Sequence, residues 1–159
     1  MQLKTAGLSL YPLKKMIWMR GIEVQMSATQ LATYMFILYQ SCCTHYGGLI
    51  KAGQHNPLSE KDVKRLGSTY HAICNLFRDT PITDERSYLE DIPNIRGYIA
   101  RIRTAIAHHI DDQDIRFYMP QDTDDKSRYH IAIECDKITL RTASGDVPFE
   151  EYPLWKTLR

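Results

Sequence analysis

The side chains able to do chemistry crowd into residues 96–109 of this chain: Arg96, Arg101, Arg103, Thr104, His108 and His109. A histidine changes charge near neutral pH, so it can take a proton from one oxygen and return it to another. An arginine is always charged and fork-shaped, which suits phosphate oxygens on which negative charge is building. Together they fit transfer at a phosphodiester whose nucleophile is a neighbouring hydroxyl. The histidine removes the hydroxyl proton, the oxygen attacks phosphorus, and the leaving oxygen receives a proton. That chemistry calls for no metal, and no cofactor is expected.

The segment must be a helix. Ile95, Tyr98, Ile99, Ile102, Ala105 and Ile106 repeat with a 3.6 period, starting after Pro93-Asn94 and ending at His108 or His109. On one ideal helix Arg103 and His108 point about 140° apart, whereas Arg101 and His108 differ by about 20°, as do Arg96 and Arg103. Arg103 and His108 therefore meet only if the helix relaxes at its end or if a second copy completes the site across a dimer axis. A cleft between two such helices would be basic, which suits a phosphate backbone.

The run Arg103-Thr104-Ala105-Ile106-Ala107-His108 resembles the R-x4-6-H signature of the HEPN family. The resemblance implies a small helical bundle that dimerises, bringing two Arg/His sets into one cleft. It implies a metal-independent endoribonuclease of a toxin or defence system, with Arg103 and His108 catalytic and 2′,3′-cyclic phosphate and 5′-hydroxyl products. Arg96, Arg101, Thr104 and His109 would contact RNA, and an antitoxin protein would be a further partner. Asn usually follows the Arg in that family, and here Thr104 stands in its place. That departure motivates the alternative, a catalytically inactive nucleotide-binding or protein-interaction module.

Simpler roles compete for each residue. Arg96, Arg101 and Arg103 suit the solvated face of an amphipathic helix, His108 suits the negative end of a helix dipole, and His109 lies near the apolar stripe as a core or cap residue. His108, His109, Asp111, Asp112 and Asp114 do not reproduce the ligand spacing of a zinc site, so no metal is expected. His45, His55, His71 and His130 show no partner in the sequence. Tyrosines near 118 and 129 are read as packing residues before base-stacking ones. No glycine-rich phosphate loop and no Ser-His-Asp set is present.

Other elements must hold this helix in place. A helix capped by Ser27 or Thr29 runs to about Tyr46 and stops at Gly47-Gly48; it is apolar nearly all round, so it belongs at the centre of a bundle or in a dimer interface. A loop over 49–58 leads to a second helix opened by Ser59 with Glu60 and Asp62 in its first turn. A polar connector over 80–93, with a turn around Ser87–Leu89, precedes the third. Beyond Asp111-Asp112 the period shortens, and Ile115–Met119, Tyr129–Cys135 and Ile138–Ala143 read as short strands. The tail with Pro148, Pro153 and Trp155 packs back on the body. The expected architecture is α+β, a mainly helical HEPN-like bundle followed by a small C-terminal antiparallel β-sheet. Its parts are an N-terminal extension (1–28, holding a short strand or helix), a helical domain (29–110) and a β extension with tail (111–159).

The 159 residues suffice for one domain with a full core, and 43% hydrophobic and 25% charged residues exclude a disordered chain. The formal net charge is +1, but residues 1–110 hold 13 Lys and Arg against 8 Asp and Glu, while 111–159 hold 7 against 11. The acidic tail is thus a possible cover for the basic cleft. Cys42, Cys43, Cys74 and Cys135 show no CxxC spacing and are expected to be reduced fillers of a cytoplasmic protein. No secretory signal is visible, and the most apolar stretch, 31–43, is too short to span a bilayer, so no membrane partner is expected.

Overall fold

The computed structural model describes residues 7–51, 58–80, 95–111 and 113–158. In chain order the elements are β1 (Leu8–Tyr11), β2 (Met16–Met19), β3 (Ile22–Glu23), α1 (Ala28–Cys42), β4 (Leu49–Ile50), α2 (Glu60–Leu76), α3 (Ile95–His109), α4 (Ile115–Tyr118), β5 (Gln121–Asp122), β6 (Arg128–His130), β7 (Ile138–Thr142), β8 (Gly145–Pro148) and α5 (Leu154–Thr157). Short 3-10 turns lie at Pro12–Lys14, Cys135–Lys137 and Phe149–Glu151. Residues 52–57 of the loop expected over 49–58, with His55, and residues 81–93 of the expected connector lie outside the described residues, while Leu49–Ile50 of that loop form β4.

The architecture corrects the expected helical bundle followed by a C-terminal sheet. Strands and helices interleave, and a five-stranded mixed sheet runs in the order β3-β2-β1-β7-β8. Its centre joins the two ends of the described chain: β1 lies parallel to β7, with Leu8 opposite Ile138 and Leu10 opposite Leu140. Leu8, Leu10, Ile17, Met19, Ile138 and Leu140 point inward and are buried, the period-2 pattern of a half-buried sheet. On the outer side Trp18 is covered by the Arg141 guanidinium, 4.6 Å from its ring centroid. The alternation over 8–19 is hard to read because Met16 and Trp18 are apolar too, and nothing local reveals a partner at residue 138.

The three long helices form, although α1 ends at Cys42, four residues short of the expected Tyr46. Ser27 and Gln30 cap α1 reciprocally: the Gln30 amide donates to Ser27 Oγ at 3.2 Å, and the Ser27 amide donates to Gln30 Oε1 at 3.0 Å. Every residue from Leu31 to Gln40 is buried, so α1 is the centre of the core and its faces are spent within the chain. It packs against α2 and α3, and against the small sheet β4-β6-β5. Ser59 caps α2 by accepting from the Asp62 amide at 3.1 Å. Ile95, Ile99, Ile102 and Ile106 form the buried stripe of α3.

Two expected strands differ. Residues 115–118 form one helical turn, with the Met119 amide donating to the Ile115 carbonyl at 3.1 Å. A short apolar run satisfies helix and strand periodicity alike, and burial of Tyr118 decides between them here. The strand expected over 129–135 pairs only through His130, because β4 and β5 are two residues each; Tyr129, Ile131 and Ile133 are nevertheless buried alternately. The tail does pack back: Trp155 is buried, donates its Nε1–H to the Phe149 carbonyl at 2.6 Å, and lies 4.4 Å from the Tyr39 ring of α1.

The cysteines need correction as well. Cys42, the last residue of α1, is disulfide-bonded to Cys135, while Cys43 and Cys74 remain thiols. The folded path brings the end of α1 to the turn before β7, a proximity no spacing in the sequence signals. Cysteine usage therefore no longer argues for a reducing compartment. No described helix is long and apolar enough to cross a membrane.

Candidate functional site

The site is built on α3, whose apolar stripe faces α1 and whose opposite side faces solvent. Arg96, Gly97, Ala100, Arg101, Thr104, Ala107 and His108 are exposed. At about 100° per residue they span an arc of roughly 140°. The small residues Gly97, Ala100, Thr104 and Ala107 run along its middle. Arg96 lies on one border, with the half-buried Arg103 just beyond it, and Arg101 and His108 lie on the other. One copy of the chain thus separates Arg103 from His108 across a flat strip, as the helix geometry requires.

Among the described residues, neither Arg96 nor Arg101 makes a hydrogen bond or ion pair. Both lie on the exposed face of the helix. The His108 and His109 rings stand edge to face with centroids 5.1 Å apart. His109 is half-buried, and its Nε2 accepts the Gln25 amide proton at 3.3 Å. This contact helps hold the segment before α1 against the end of α3. Thr104 donates its hydroxyl back to the Ala100 carbonyl at 3.0 Å, which leaves the oxygen lone pairs but not the proton for a ligand.

Arg103 is the most constrained member. Its Nε–H donates to the Pro120 carbonyl at 2.9 Å, and its Nη2 lies 3.9 Å from Asp122 Oδ1. The same carboxylate oxygen receives Lys51 Nζ at 2.8 Å. Lys51 is fixed from behind by the Tyr129 ring, whose centroid is 4.7 Å from the ammonium. The Lys51 bond holds the Asp122 carboxyl below its ordinary range against an opposing desolvation effect, and the charges of Lys51, Arg103 and Lys126 add to it. Next to it Asp125 accepts from Ser127 Oγ at 2.7 Å, from Thr123 Oγ1 at 2.8 Å and from the Ser127 amide at 3.0 Å. These bonds lower its carboxyl to about 2. The β5–β6 hairpin is thereby a shaped acidic element laid beside α3.

Close backbone packing positions that hairpin. Gly48 has φ +153°, and a Cβ there would sit 2.5 Å from the Tyr129 carbonyl oxygen, so only glycine lets the chain enter β4 this close to β6. Tyr118 is fully buried and Tyr129 nearly so, which leaves neither as an open base-stacking platform. Among the described residues no three His, Cys, Asp or Glu side chains converge as metal ligands.

Lys51, Pro120 and Asp122 were not among the residues singled out by sequence. Pro120 and Asp122 follow Arg103 across a turn of helix and a short strand, and Lys51 arrives from the other side of α2. No periodicity links them. Comparison of the chain with known protein families, with curated proteins and with solved structures finds no match, so the resemblance of residues 103–108 to the HEPN signature rests on the motif alone.

Proposed function

We propose that this protein binds RNA along the exposed face of α3 and, as a dimer, cleaves it without metal. The observation that carries the reading is the pairing on that face: Arg101 and His108 share one border, exposed and without hydrogen-bond or ion-pair partners among the described residues, while Arg103 stands at the other. A phosphate backbone supplies the negative charge such a face lacks. Two copies meeting over the small-residue strip bring the Arg103 border of one near the His108 border of the other. His108 then takes the 2′-hydroxyl proton, the 2′-oxygen attacks phosphorus, and the P–O5′ bond breaks as the 5′-oxygen is protonated. Arg103 neutralises the equatorial oxygens of the phosphorane. A 2′,3′-cyclic phosphate and a 5′-hydroxyl result.

The test is cleavage of a mixed RNA pool in EDTA, with mass followed by light scattering. His108→Ala and Arg103→Ala should each lower cleavage by at least about 100-fold, the usual scale of losing a general acid/base or a charge-stabilising group. Equal cleavage by wild type and both variants would overturn the assignment.

One observation favours a second reading, a binding module without catalysis. Arg103 is tethered through Nε, and the Thr104 hydroxyl proton is turned back into the helix. Under that reading the wild type binds RNA, and dimer and monomer alike leave it intact.

A further inference from the structure

Arg103 is held but not filled. The Pro120 carbonyl fixes the plane of its guanidinium through Nε at 2.9 Å. Nη2 stops 3.9 Å from Asp122 Oδ1, beyond hydrogen-bond length. The Nη edge of this partly exposed side chain makes no hydrogen bond among the described residues. That is the edge with which an arginine grips a phosphate through two parallel bonds. Lys51 faces the same point from the other side, 2.8 Å from the same carboxylate oxygen. Its side chain is only 20% exposed, so it is aimed by β4 and the Tyr129 ring and does not sweep through solvent. Arg103 and Asp122, by contrast, are 42% and 43% exposed, so the point where the two cations converge is open to a ligand.

We infer that Lys51 and Arg103 form a phosphate-binding pair and that Asp122 is its intramolecular stand-in, a carboxylate that a backbone phosphate of RNA displaces on binding. This rests on the proposed RNA-binding reading and adds Lys51 as a binding residue. A phosphate outcompetes the carboxylate by taking bonds from both Arg103 Nη groups as well as from Lys51, whereas Asp122 takes one close bond from Lys51 alone. The hairpin also explains where the displaced carboxylate goes: Asp122 closes β5, a two-residue strand, and can turn to solvent without breaking a long ladder. Asp122 sets a threshold, because each RNA phosphate entering the pair must first displace a tethered anion.

The experiment measures binding of a fluorescent 12-nucleotide oligouridylate at several salt concentrations to wild type, Asp122→Asn, Lys51→Met and the double variant, with thermal melts alongside. Asp122→Asn keeps the shape and removes the charge. It should bind several-fold more tightly, because the RNA phosphate no longer has to displace a carboxylate from the pair. Lys51→Met should weaken binding and abolish the gain from Asp122→Asn in the double variant. A carboxylate with a merely structural role would lower the melt and leave the affinity unchanged, and that result overturns the inference. If wild type binds in an Arg101-dependent manner but Asp122→Asn is silent, only this inference fails. If neither protein binds, it falls together with the RNA-binding reading. Should Asp122→Asn not fold, the carboxyl carbon of Asp122 is followed by NMR in wild type during the same titration; a signal that stays fixed to saturation is equally fatal.

Discussion

Cys42 and Cys135 are joined across 93 residues of sequence with their Cα atoms 5.6 Å apart. One belongs to the central helix and the other to the turn that launches β7, so the bond ties the helical half of the core to the large sheet. Closing so long a loop restricts the unfolded chain strongly, and removing such a bridge costs about 2–5 kcal/mol. Cys135→Ala should lower the urea midpoint accordingly. Reductant should lower wild type to a similar extent and leave the variant unmoved; a variant as stable as oxidised wild type would show that the bridge contributes nothing.

Gly48→Ala places a methyl group against the Tyr129 carbonyl at a backbone angle that L side chains rarely adopt. The added Cβ has no rotamer with which to escape, and the atom it meets is a backbone oxygen. The expected loss exceeds about 1 kcal/mol, and it should be local: amide exchange is expected to quicken in β4 and β6 while the β1–β7 pair keeps its protection. Uniform exchange across both sheets would contradict this.

Acid should loosen the β5–β6 hairpin first. The Asp122 and Asp125 carboxyls are both lowered, the second to about 2, so the folded state binds fewer protons than the unfolded one at mildly acidic pH. Their contribution is complete above the unfolded carboxyl range near pH 4 and is lost as pH falls toward 2. Lys51, Arg103 and Lys126 act on Asp122, while Ser127, Thr123 and Arg128 act on Asp125. Carboxyl-carbon NMR titration should find both groups ionising below the other exposed aspartates; ordinary values for the pair would refute the hydrogen-bond pattern.

Arg101→Ala and Arg96→Ala test the open face of α3. Neither side chain makes a hydrogen bond or ion pair among the described residues, so neither change should move the melting temperature by more than surface substitutions do. Each should weaken oligouridylate binding and reduce the salt slope by about 0.7. Unaltered affinity in both would remove this face from the RNA path.

What the sequence revealed follows the range over which each signal acts. The capping of α1 by Ser27, the capping of α2 by Ser59 and the isoleucine stripe of α3 are written within a few residues, and all three helices form, α1 ending at Cys42 short of the glycines expected to stop it. The burial of α1 follows from its apolar circumference. The parallel pairing of Leu8 with Ile138, the Cys42–Cys135 bridge and the meeting of Lys51 with Arg103 depend on how distant segments pack, and no local period encodes them. At the site, helix geometry alone separates Arg103 from His108. That Asp122 stands before Arg103 emerges only once the hairpin is folded against α3.

The parallel pairing of β1 with β7 also orders events during synthesis. Residues 8–19 leave the ribosome early, and as a hairpin with one neighbour they present an unpaired edge. Their second neighbour exists only after residue 138 has emerged. At 5–20 residues per second that interval is roughly 6–25 s, long compared with the microseconds a hairpin needs to form. The nascent chain thus carries an open strand through that interval, while α1 and α2 can already collapse beside it. The large sheet cannot close before β7 has emerged, and until then the free edge of β1 is open to wrong pairing.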